Sequence, residues 1–207
     1  YCADLAYATS QGSFEDAALL FESVKSLSKD LEIESAIDQI IFERLKKSLE
    51  NANADSLFLI SNETYYNAFS YLQENDRQDM LGIIAVGGWV EGLNIILNLE
   101  PYSENSEVCQ QIADQKLTLE NLLIFISNVE NDKFIDIVND LVKIEEIFNQ
   151  NLDNSNDQNN KLELSNKTNE KGLVVFGGGN SLSLSNNQFD QLKTTVMDLR
   201  TSIIEGN

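Results

Sequence analysis

Four residues could act together chemically in this chain: Asp4, Tyr7, Trp89 and Glu91. Asp4 and Tyr7 are three apart, one turn of a helix. Trp89, the single tryptophan, and Glu91 lie in the most apolar stretch, residues 80–99. If the two segments touch, two carboxylates, a phenol and an indole N–H form one polar cluster beside an apolar surface. Glu91 then becomes a partly buried acid able to grip a small ligand. Paired carboxylates are also the chemistry of glycoside hydrolysis. Arg44 and Arg77 are the candidate counter-ions. The competing reading is a satisfied structural network, since structural ion pairs resemble functional ones. With 34 acidic residues, spacing singles out no pair, and no catalytic residue is assigned.

Other chemistries find no residues to carry them. The chain has no histidine, which removes Ser-His-Asp and Cys-His catalysis, histidine zinc sites and the zincin motif. Two cysteines, Cys2 and Cys109, cannot complete a zinc site and do not make a disulfide scaffold. Both are expected to be free, with Cys2 buried. Asp153, Ser155 and Asp157 resemble the start of a calcium loop, but Gln158 and Leu164 stand where glycine and glutamate are required. The glycines at 177–179 precede no Gly-Lys-Ser/Thr and open no helix, so a turn is expected there, not a phosphate site. No metal and no cofactor are expected. The net charge of −20 repels nucleic-acid phosphates and anionic membrane surfaces.

The elements that must position these residues are mostly helical. Residues 80–98 are apolar nearly all round, which suits a helix covered on several sides. Leu81, Ile84, Ala85, Gly88, Gly92, Ile95 and Ile96 share one side. Glu91, Asn94 and Asn98 form a narrow polar stripe that interrupts any purely apolar membrane span. Four glycines weaken the helix by up to about 1 kcal/mol each, and a close helix crossing at Gly88 is the expected compensation. Pro101 stops it.

Before this helix, residues 1–8 read as a helix tail. Ser13 and Asp16 resemble a capping box opening a helix with Ala17, Leu20, Phe21, Val24, Leu27 and Leu31 in phase. Further helices follow from Ser35 and through Phe58–Leu72. After it, Ser106 can cap one helix or two reaching Val129. Phe134, Ile137, Val138, Leu141, Ile144 and Phe148 mark another. The polar run 149–160 is expected to be a flexible loop, and the alternation in 161–184 predicts a β-hairpin insertion. Ser185 and Gln188 form a capping box for a last helix with Phe189, Leu192, Val196, Leu199 and Ile203 along one seam. The fold expected over 1–207 is a single all-α bundle of about seven or eight helices with a small hairpin near the C-terminus.

Four segments are familiar in combination: YCADLAYAT at 1–9, GGWVEGLN at 87–94, QKLTLENLL at 115–123 and LSNNQFDQLKTTVMDLRTSI at 184–203. Together they resemble a family of uncharacterised, all-helical envelope lipoproteins of Gram-negative bacteria. The resemblance spans most of the chain and is loosest over 149–181. It implies a signal peptide and a lipid-attachment cysteine upstream of Tyr1, with Cys2 at a position that commonly holds a small residue. Membrane association would come only through that anchor, on the periplasmic face or outer membrane. The expected function is a non-catalytic binding or scaffolding domain that docks another envelope protein. The alternatives are a periplasmic small-ligand binder with a pocket near Glu91, and a carboxylate hydrolase.

Overall fold

The computed structural model describes residues 1–33, 39–51, 53–104, 106–129, 134–150, 167–168, 174–175 and 183–205. The chain is all-α. Its helices are α1 (Cys2–Ser10), α2 (Phe14–Asp30), α3 (Gln39–Glu50), α4 (Ala54–Glu74), α5 (Gln78–Leu99), α6 (Glu107–Ser127), α7 (Phe134–Asn149) and α8 (Asn186–Glu205). The hairpin expected over 161–184 is not borne out. Two dipeptides, β1 (Lys167–Thr168) and β2 (Val174–Val175), pair antiparallel, but two residues a side fall short of an ordinary strand. The calcium-like and glycine-rich segments lie outside the described residues. So do residues 151–160 of the expected loop. Asn149 instead closes α7, and Gln150 donates from Nε2 to Gln191 Oε1 at 2.8 Å.

Two compact units make up the chain, residues 1–92 with 128–132, and residues 93–127 with 133–207. In the first, α1 packs on α2 and α3 on α4, with α2 also meeting α3 and α1 meeting α4. Ala8, Ala17, Phe21, Leu45, Leu49, Leu57 and Ile60 form the core, flanked by Leu5, Phe14, Leu20, Ala68 and Tyr71. The apolar line expected on α2 holds only at its start. Leu27 and Leu31 remain exposed while Ser28 is buried, its hydroxyl bonded back to the Lys25 carbonyl at 2.8 Å.

Three helices of this unit end in the same way. Gly12, Glu32 and Asp76 adopt positive φ of 72°, 56° and 54°. At each site the next residue donates its N–H five residues back: Ser13 to Ala8, Ile33 to Ser28 and Arg77 to Leu72. These are Schellman endings, which pair carbonyls that the last helical turn leaves open. Two of them use an acidic residue where glycine is sterically favoured. The capping box expected at Ser13 does not form. Its hydroxyl donates to the Asp16 carboxylate, and no side-chain bond caps the α2 backbone.

In the second unit α6 packs on α7 and α7 on α8. Ile112, Leu119, Leu122 and Ile126 face Leu141, Ile144, Ile147 and Phe148 in a core completed by Phe189, Leu192, Val196 and Leu199. Ile203, the last residue of the expected seam, is exposed. One continuous α6 spans 107–127, started by Ser106, whose Oγ accepts from the Cys109 N–H at 3.1 Å. The Ser185–Gln188 box forms in both directions. Gln188 N–H donates to Ser185 Oγ at 3.3 Å, and Ser185 N–H to Gln188 Oε1 at 3.0 Å. Tyr102 holds the approach to α8, its hydroxyl donating to the Leu184 carbonyl at 3.0 Å and its ring meeting Phe189 edge-on.

Candidate functional site

The side chains proposed as a cluster belong to α1 and α5, both starting within the first unit. On α1, Asp4 lies 3.4 Å from the amino group of Tyr1. Tyr7 is exposed, and its carbonyl accepts from Ser10 Oγ at 2.7 Å. On α5, Trp89 is buried and its indole N–H finds no acceptor among the described residues. Glu91 is half-buried and already engaged. The bonds of Asp4 and Tyr7 thus run within α1 and the residue before it.

The expected counter-ions are used elsewhere. Arg44 Nη1 pairs with Glu63 Oε2 at 2.9 Å, joining α3 to α4. Arg77 Nη2 reaches the Leu31 carbonyl at 3.4 Å, at the end of α2. Arg44 reaches from α3 to α4, and Arg77, between α4 and α5, reaches the end of α2, so their partners depend on which helices lie side by side, and periodicity along one helix does not specify that. No group of three or more Cys, Asp or Glu residues is gathered as a metal site among the described residues.

Cys109 is buried and Cys2 is exposed, so burial of Cys2 is not borne out. The thiol of Cys2 is nevertheless pushed above its ordinary value. Local burial of the group is the main cause, with the Tyr1 amino group opposing it and Asp4 assisting. The side chain as a whole meets solvent, so access is open while the reactive thiolate is scarce.

The feature that sequence reasoning misplaced is on α5. Leu81, Gly82, Val86, Trp89, Val90, Leu93 and Leu97 are its buried residues. Apart from Leu81, the side expected to meet another helix is the open one. Gly88 is exposed, and Ile84, Ala85, Gly92, Ile95 and Ile96 are half-buried. Ile83 and Leu99 are 44% and 50% exposed. A Cβ built on Gly87, Gly88 or Gly92 would meet nothing within 4 Å. Among the described residues no helix crossing accounts for these three glycines, and nothing there offsets their unfavourable propensity. By length and composition α5 could cross a membrane, as the core helix of a soluble protein also could, and a third of its apolar window is buried. Its polar stripe is partly self-satisfied, with Asn98 Nδ2 donating to the Asn94 carbonyl at 2.8 Å.

Charge around this helix is one-sided. From residue 78 to 115 there are six acids, Asp79, Glu91, Glu100, Glu104, Glu107 and Asp114, and no lysine or arginine. No family model matches the chain, and neither a curated protein nor a solved structure does.

Proposed function

We propose that this chain is a non-catalytic docking domain of a bacterial envelope lipoprotein, and that it binds another envelope protein through the outward side of α5. The observation that carries this reading is the open apolar line Ile84–Gly88–Gly92–Ile95 on the most apolar helix of the chain. Ile84, Gly92 and Ile95 are half-buried around exposed Gly88, and a part-exposed apolar line of this kind is a common mark of an interaction surface. Glycines on that line let a partner backbone approach closely, so the occupant is a helix. The six acids and missing cations of 78–115 favour a partner helix with basic flanks. The lipoprotein and envelope parts of the reading rest on the sequence resemblance.

The test is co-purification from native envelope with the anchored full-length protein and its Gly88→Gln variant. The added side chain meets open space in the fold but fills the approach path of a partner. Loss of a discrete co-purifying protein at an unchanged or higher melting temperature is the expected result. Identical co-purification from both proteins would refute the docking face.

A second reading draws on Trp89. A buried indole donor with no acceptor among the described residues, on the same helix as half-buried Glu91, is a place where a small polar ligand gains a hydrogen bond. A ligand-dependent change in Trp89 emission, abolished by Glu91→Gln in a folded protein, would select that reading over docking. Carboxylate hydrolysis has no specific observation in its favour.

A further inference from the structure

No further inference is drawn: the strongest candidate apart from the α5 face, the open groove of about 520 Å³ between α7 and α8 lined by Lys143, Gln150, Asp190, Gln191 and Thr194, carries nothing because Lys143, Gln150 and Asp190 already bond within the protein and nothing in the structure shows what covers it.

Discussion

Gln188 donates from Nε2 to the carbonyl oxygen of Ile147, 2.8 Å away, and so ties the first turn of α8 to the last turn of α7. The Ile147 carbonyl is among those an α-helix leaves without an intrahelical partner. Gln188 is 1% exposed, and its Oε1 also completes the reciprocal cap with Ser185. Gln188→Ala removes its side-chain bonds to Ile147 and Ser185 and leaves the Ile147 carbonyl only the long 3.4 Å bond from the Gln150 N–H. It should lower unfolding stability by about 1–3 kcal/mol, read by urea denaturation. Gln188→Glu keeps the capping acceptor but sets a carboxylate oxygen against the Ile147 carbonyl at a site 1% exposed, and should recover none of the loss. A full recovery would show that the Ile147 bond contributes nothing.

The glycines of α5 give a prediction of opposite sign to the sequence expectation. With no atom near a Cβ at Gly88, Gly88→Ala should raise stability by about 0.5–1 kcal/mol through helix propensity. Gly12→Ala should lower it by about 1–2 kcal/mol, because φ there is +72°. Thermal melts of the two variants decide the matter. A lower melting temperature for Gly88→Ala would place a backbone against that position after all.

Glu32 and Asp76 hold a left-handed conformation that suits glycine better. Each of Glu32→Gly and Asp76→Gly should therefore stabilise the first unit, by an amount on the order of 1 kcal/mol at most, since glycine also loses more chain entropy on folding. The sites are neighbours in space, since Arg77 beside Asp76 bonds the carbonyl of Leu31 beside Glu32, so the double variant should depart from the sum of the two gains. A loss at either site would mean that its carboxylate contributes more than its backbone strain costs.

Thiol titration should separate the cysteines. Cys2 should react in the native protein and Cys109 only after unfolding. Because the Cys2 thiol is pushed upward, its thiolate fraction near neutral pH is below that of an unperturbed cysteine. Its reaction rate should climb through a pH midpoint above the ordinary thiol value. A midpoint below that value would contradict burial as the main influence on this thiol.

Much of this fold was legible because its signals are local. Ser185 and Gln188 sit at capping-box spacing, and the box forms. Ser106 precedes α6 and caps it. Trp89 in its apolar run is buried. Pairings across the fold were not legible. Arg44 meets Glu63 and Arg77 meets Leu31, choices fixed by which helices lie together. The open side of α5 was misassigned for a related reason. A helix apolar all round has almost no direction in its pattern, so sequence cannot say which side its own chain covers. Ser13 shows how local signals also fail, since its hydroxyl donates to the Asp16 carboxylate and no side-chain bond caps the α2 backbone. For the candidate site, Trp89 and Glu91 were identifiable from their place in the apolar run, whereas the exposed line beside them was read as an internal crossing.

The docking face is tested most directly by site-specific photo-crosslinking in intact cells. A photoreactive residue replaces Leu99, 50% exposed on the same side of α5 as Gly88 and Gly92, or Leu19, 71% exposed on α2 as a control. The docking face predicts a discrete cross-link from position 99 to a helical segment of an envelope protein with basic flanks, absent from position 19 and lost when Gly88→Gln is added. Cross-links of equal yield from both positions, or none from position 99 while the protein is folded and anchored, would contradict it.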